Sequence, residues 1–444
     1  MQDTPDIADR HDAVCVIGAG ASGLATLKSL REQGFSVDCY ERETSVGGAW
    51  NWRHDRSPVY STAHLVSSRP LTEFPDFPMP DDWPDYPHHS QLLGYLERYS
   101  EHFGLRDDIW FGTEVVSVTP AGDGRWDVTT RSVGGGAERV QRYAAVIAAN
   151  GHNWAPKPFT VDTSEFRGRV MHASAYKDPA QLRGRKVLVI GGGNTGCDIA
   201  VEAAQQAEKV WHSTRRGYWF APKYLFGRPA DQMLPPRLPL RFRQKLYRWM
   251  VRLTAGDLTR YGLPAPDHRP YESHPVVNSQ LAYYLGHGRI TAVGDVASME
   301  GSTVELSDGK RIEPDLVITA TGYLPRFEFL APELLDVDED GRPDLHLHAF
   351  ARRHPTLAVI GLLQPDAGLL PLAHWQSVAV ARWLRLRIDD PAKAAAVQQK
   401  ESVRPVRSWS RLQVVPSSRH WFEVGHTDYL RAVEDLLKHM EPAS

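Results

Sequence analysis

The chain has 444 residues, 42% hydrophobic and 24% charged, with a formal net charge of −3. That length exceeds one ordinary core and suits two domains, or one interrupted by another; the composition argues against disordered, collagen-like and membrane classes. Charges of both signs are mixed along the chain, so no large basic surface for nucleic acid or an anionic membrane is expected, and the longest apolar stretches, such as 357–363, fall far short of the roughly 20 residues that cross a bilayer.

Residues 1–10 are acidic and polar, so neither a secretory signal nor a transit peptide is expected there. Cys15, Cys39 and Cys197 lie in or beside apolar runs without the paired spacing of zinc or disulfide frameworks, which points to a reducing cytoplasm.

The first unit reads as an apolar strand at 13–17, a glycine turn at 18–23 and a helix with Leu24, Leu27 and Leu30 on one face. A second strand at 35–40 ends in Glu41, which completes a dinucleotide fingerprint. Gly18 permits the tight turn, Gly20 lets backbone approach a pyrophosphate, and Gly23 lets the helix pack closely on the strand. The helix N-terminus then faces the phosphates, and Glu41 is expected on the adenosine ribose.

His88 and His89 with Asp81 and Asp82 lie in a proline-broken segment without convergent spacing, so no metal site is expected. Residues 113–118 and 125–130 alternate apolar with polar and read with the 134–136 glycines as an antiparallel insertion. The strand–turn–helix pattern then recurs at 186–204, with Gly191, Gly193, Asn194, Thr195 and Gly196 in the turn. Its next strand, 209–212, ends in Ser213, Thr214, Arg215 and Arg216, groups suited to a ribose 2′-phosphate, which predicts NADPH over NADH. Residues 217–275 read as a helical insertion shaping access. Two late apolar strands, at 314–320 and 356–360, could both return to the first sheet, and the C-terminal part has a helical pattern.

Between the glycine turns, Phe166, Gly168, His172 and Tyr176 match all four fixed positions of the F-x-G-x3-H-x3-Y fingerprint, and the stretch resembles that of flavin-containing monooxygenases. The resemblance extends through Gly47-Gly48-Ala49-Trp50, Phe74-Pro75-Asp76-Phe77-Pro78, Ala320-Thr321-Gly322-Tyr323 and Gly361-Leu362-Leu363-Gln364-Pro365, and covers most of the chain. It implies an α/β fold of two Rossmann-like domains: an FAD domain over 1–165 and 313–444, and an NADPH domain over 166–312 that includes the helical insertion at about 217–275.

The resemblance assigns FAD to Gly18, Gly20, Ser22, Gly23, Glu41, Arg42, Gly48, Trp50, Gln91, Val115 and Gln364. NADPH falls to the second turn and the 213–216 cluster, with Thr321 and Gly322 also at cofactor-binding positions. The implied chemistry is hydride transfer from NADPH to FAD, addition of molecular oxygen to give a 4a-hydroperoxyflavin, and oxygen transfer to a small-molecule nitrogen or sulfur nucleophile. Many family members carry threonine and asparagine where this chain has Leu65 and Val66, so stabilisation of the intermediate falls to backbone, NADP⁺, Ser67 or Ser68; His172 is the third catalytic candidate.

Alternatives stay open. Residues 172–177 resemble plant auxin-forming relatives that decarboxylate keto acids; Baeyer–Villiger relatives usually have tryptophan where this chain has Tyr176. An uncoupled NADPH oxidase or a flavin redox-sensing module is the reading from a different class. The expected assembly is a homodimer.

Overall fold

The structure is a computed structural model that describes residues 8–10, 12–233, 240–402, 410 and 420–441. The expectations for 1–7 and for insertion residues 234–239 fall outside these. The chain folds as two compact units: Met1–Ser57 with Arg69–His152 and Pro325–Ser444, and Pro58–Ser68 with Asn153–Leu324.

In the first unit the strand Val14–Ile17 is buried at all four positions inside a seven-stranded sheet. Cover on both faces explains why its sequence is continuously apolar rather than alternating. It pairs in parallel with Val37–Tyr40 and with Ala145–Ala148, and the latter pairs with Leu357–Val359. The helix Ala21–Glu32 packs along Leu370–Asp389, where Thr26 Oγ1 lies 3.0 Å from Ser377 Oγ.

Thr113–Pro120, Trp126–Ser132 and Arg139–Tyr143 form an antiparallel ladder in a separate sheet. Gly134, Gly135 and Gly136 all have positive φ in the turn between its second and third strands, which is why that alternating segment can fold back.

The second unit is built on a five-stranded parallel sheet in the order Arg169–His172, Leu316–Thr319, Lys186–Ile190, Lys209–Ser213, Thr291–Val293. Its central helix, Asn194–Gln206, buries Cys197, Ile199, Ala200, Ala203 and Ala204. Of the two late strands, only Leu357–Val359 returns to the first sheet; Leu316–Thr319 lies between Arg169–His172 and Lys186–Ile190 in the second. Both runs are fully buried, and an apolar run alone does not specify which sheet receives it.

Among the described residues of the insertion there is one α-helix, Leu240–Thr254, beside a small hairpin of Tyr224–Leu225 and Arg228–Pro229.

Candidate functional site

The first glycine turn is fixed by steric necessity. Gly18 has φ +101°, and a Cβ there would sit 2.8 Å from the Ala149 carbonyl oxygen; at Gly23 it would sit 1.8 Å from the Gly18 oxygen. Gly48, at φ +50°, approaches so closely that its Cβ would lie 2.9 Å from Gly20 Cα. The helix beginning at Ala21 has Gly20 at its N-cap and no side-chain cap, so its first-turn N–H groups are uncapped at the positive end of its dipole. A dinucleotide pyrophosphate fits this arrangement.

Glu41 is 5% exposed, and each carboxylate oxygen accepts a backbone hydrogen bond, from Ala19 N–H at 2.7 Å and from Glu43 N–H at 2.9 Å. Burial pushes its pKa up, and the two N–H donors oppose that shift. It therefore braces the glycine turn, a role the fingerprint alone does not reveal, and retains acceptor capacity for a ribose hydroxyl.

Arg42 Nε and Nη1 are buried and have no hydrogen-bond partner among the described residues, although Nε lies 3.8 Å from Glu43 Oε1 in a loose ion pair. Buried donors of this kind are costly unless something accepts from them, so they too fit an acceptor-rich cofactor.

The remaining candidates of the first unit are variously engaged. Gln91 Oε1 accepts from His88 N–H at 3.0 Å in a capping box that starts the helix His89–His102, and His88 supplies the reciprocal cap. Trp50 ends a half-buried turn, Gly48–Trp50. Val115 sits beside a bulge in its ladder, and Gln364 is half-buried with its backbone N–H on the Phe422 carbonyl. Ser22 lies against Gly361, where a Cβ would meet its Oγ at 2.2 Å. No group of three potential metal ligands occurs among the described residues.

The second glycine turn repeats the logic within the second unit. Gly191 has φ +127°, and its Cβ would lie 2.3 Å from the Ala320 oxygen; the Cβ of a residue at Gly196 would lie 2.0 Å from the Gly191 oxygen. Gly193 is an uncapped helix N-cap, Thr195 is half-buried in the first turn, and Asn194 Oδ1 accepts from Val277 N–H at 2.7 Å. His212 is fully buried and shares a 2.9 Å hydrogen bond with the Gly191 carbonyl, so its Nε2 carries the proton.

The 213–216 cluster separates into engaged and available groups. Ser213 Oγ donates to the Gly294 carbonyl at 2.8 Å, and Arg216 grips Asp267 through two contacts of 3.1 Å. The Arg216 and His268 contacts hold the Asp267 carboxyl at a pKa of about 2. Thr214 Oγ1 is buried without a hydrogen-bond partner among the described residues, and Arg215 is exposed. Thr214 and Arg215 are thus the two whose donors fit a phosphate.

His172 is fixed at both ring nitrogens. Nδ1 accepts from Ser174 N–H at 3.1 Å, which leaves the Nε2 proton for the Gly322 carbonyl at 3.1 Å, and burial lowers its pKa. The ring braces Gly322, at φ +88°, while Thr321 Oγ1 donates to the Lys157 carbonyl at 3.2 Å. With both ring nitrogens engaged, His172 holds the Gly322 carbonyl in place.

Ser68 is fully buried; its N–H donates to Asp231 at 2.7 Å and its Oγ accepts from Gln232 at 3.0 Å. Ser67 is half-buried and Val66 is 37% exposed.

Sequence reasoning missed what holds the segment Pro58–Ser68. Tyr60 OH donates to Asp198 at 3.0 Å, Asn278 donates to the same carboxylate at 2.6 Å, and Glu202, one turn along the glycine helix, accepts from Thr62 and Tyr176. Burial raises the pKa of both carboxyls. Tyr176, the last fixed residue of the fingerprint, therefore ties its own segment to the helix that carries the second glycine turn. The available signal was Asp198 and Glu202 at i, i+4, the only charged residues of that helix.

Residues 11–441 match the family described as flavin-binding monooxygenase-like. Flavin-containing monooxygenase 5 of Oryctolagus cuniculus is 32% identical, over 96% of this chain and 82% of its own. Dimethylaniline monooxygenase [N-oxide-forming] 2 of Mus musculus is 34% identical, over 83% of this chain and 72% of its own. A solved flavin-containing monooxygenase from Stenotrophomonas maltophilia shares the fold, with TM-score 0.64 and 24% identity over 86% of this chain and 100% of its own. Cyclohexanone monooxygenase, in its loose conformation, shares it as well, with TM-score 0.67 and 20% identity over 87% of this chain and 91% of its own.

Proposed function

Because the chain belongs to the flavin-containing monooxygenase family, whose members depend on FAD and NADPH, we propose that it holds FAD at the 18–23 turn and NADPH at the 191–196 turn. With them it transfers one oxygen atom of O₂ to a nitrogen or sulfur nucleophile. The observation that carries this reading is the pair of glycine-turn helix N-termini without a side-chain cap, one in each unit. When bound, the two cofactors supply hydride transfer and oxygen activation.

The protein's part is placement. Gly18, Gly20 and Gly23 admit the FAD pyrophosphate, Ser22 joins them at the first turn, Glu41 takes a ribose hydroxyl, and the buried Arg42 donors find an acceptor. Gly48, Trp50, Gln91, Val115 and Gln364 complete the proposed FAD set. Gly191, Gly193, Asn194, Thr195 and Gly196 seat the NADPH pyrophosphate, with Thr214 and Arg215 on the 2′-phosphate. His172 fixes Gly322, beside Thr321. Three buried free cysteines accord with a reducing cytoplasm.

The overall balance is NADPH, H⁺, O₂ and substrate giving NADP⁺, water and oxygenated substrate. The test is whether product forms in proportion to NADPH consumed with tertiary amines or thioethers. A second reading rests on Val66, whose side chain donates no hydrogen bond: NADPH, H⁺ and O₂ would then give NADP⁺ and hydrogen peroxide, at a rate indifferent to substrate.

A further inference from the structure

The mixed charge of the whole chain conceals one segregated surface. The helix Leu240–Thr254, in the second unit, contains Arg241, Arg243, Lys245, Arg248 and Arg252 and no acid. It turns Gln244, Tyr247, Met250 and Val251 inward, and the last three pack with Ala221, Trp219, Leu225 and Tyr271.

The outward arc consists of two adjacent stripes. Arg241, Lys245, Arg248 and Arg252 are all exposed and follow one another at steps of four, three and four, which is one helical face. Each is followed directly by an apolar residue, Phe242, Leu246, Trp249 and Leu253, so the second stripe runs alongside the first. Phe242 is 54% exposed, Trp249 59% and Leu253 64%.

The hairpin beside it adds Phe226, 83% exposed, next to Leu225, which packs in the same small cluster as the inner face of the helix. Asp257, just past the helix end, offsets part of the Arg252 charge.

Neither stripe is favourable in water alone. Like charges one turn apart repel along a helix, and large side chains this exposed mark a contact surface rather than a solvated one. An apolar boundary lined with anionic groups relieves both, and basic helices with Trp, Phe and Leu on the adjoining face lie in that boundary.

We propose that this face docks the second unit on an anionic lipid surface. Phe242, Leu246, Trp249 and Leu253 enter the headgroup–acyl boundary, and Arg241, Lys245, Arg248 and Arg252 engage lipid phosphates. A nucleic acid would satisfy the cations but leave Trp249 and Leu253 in water, which favours lipid. The docking is peripheral: among the described residues no helix is long and apolar enough to cross a membrane. Net charge alone does not reveal this helix face, because it averages over faces that the helix separates.

The test is co-sedimentation of the full-length holoenzyme with vesicles of phosphatidylcholine, alone or with phosphatidylglycerol, at low and high salt. The proposal expects at least about tenfold stronger partitioning onto the anionic vesicles, largely lost at high salt because the attraction is screened. The double variant Trp249→Ala/Leu253→Ala, and separately Lys245→Ala/Arg248→Ala, should each reduce it about tenfold while NADPH oxidation and thermal stability stay unchanged.

Equal partitioning onto neutral and anionic vesicles, or binding unaffected by either variant, overturns the proposal. So does tight salt-dependent binding to RNA without binding to vesicles. A concentration-dependent dimer that dissociates in Trp249→Ala, without vesicle binding, would assign the face to a second copy of the chain instead.

Discussion

Arg216 and Asp267 form a two-contact ion pair, both contacts 3.1 Å, at the end of the strand that follows the second glycine turn. That pair engages one of two adjacent arginines and leaves Arg215 exposed. Arg215→Ala should therefore raise the KM for NADPH about 10- to 100-fold with little change for NADH, since a charge-assisted bond to phosphate contributes about 1.5–3 kcal/mol. Arg216→Ala should affect the two coenzymes more evenly. Steady-state kinetics with both coenzymes check this, and equal losses in Arg215→Ala would remove the assignment.

Gly18→Ala and Gly191→Ala place a Cβ against a carbonyl oxygen at positive φ, a backbone strain of about 1–3 kcal/mol before any clash. Gly18→Ala should purify with little flavin. Gly191→Ala should stay yellow but bind NADPH at least about tenfold more weakly. Flavin absorbance per chain and a coenzyme titration read the two outcomes separately.

The hydrogen bond from Tyr176 to Glu202 ties the fingerprint segment to the glycine helix. Tyr176→Phe leaves the half-buried Glu202 carboxylate one donor short, which costs about 1 kcal/mol. Its midpoint of thermal unfolding should fall. An unchanged midpoint in Tyr176→Phe would contradict the bracing role.

Acid should weaken the second unit through His212. Burial lowers its folded pKa below 6.5, so the unfolded chain takes up a proton first as pH falls. Stability that is present above pH 6.5 is therefore lost as pH drops from there through the folded value. The raised pKa values of the half-buried Asp198 and Glu202 act in the opposite sense. Denaturant unfolding between pH 5 and 8 should show a stability decline on the acid side that His212→Gln reduces.

Much of the site was legible because it is local in sequence. A strand, a glycine turn and a helix N-terminus span a short segment, and the steric demands at Gly18 and Gly191 follow from that segment and one neighbouring strand. The sequence could not show that Arg216 is engaged, because Asp267 lies 51 positions away. Nor could it show that Tyr60 reaches Asp198, 138 positions away. The strand Leu316–Thr319 read as buried, but its partner sheet is a long-range choice. Gln91 illustrates the converse: its cap with His88 is a three-residue relationship that local reading could have found.

Oxygen stoichiometry with ¹⁸O₂ tests the central claim most directly. With NADPH and a tertiary amine or thioether panel, the account predicts one ¹⁸O atom in the N-oxide or sulfoxide for each NADPH oxidised, with little peroxide. Peroxide equal to the NADPH consumed, with no label in any product and no change of rate on adding substrate, would contradict it.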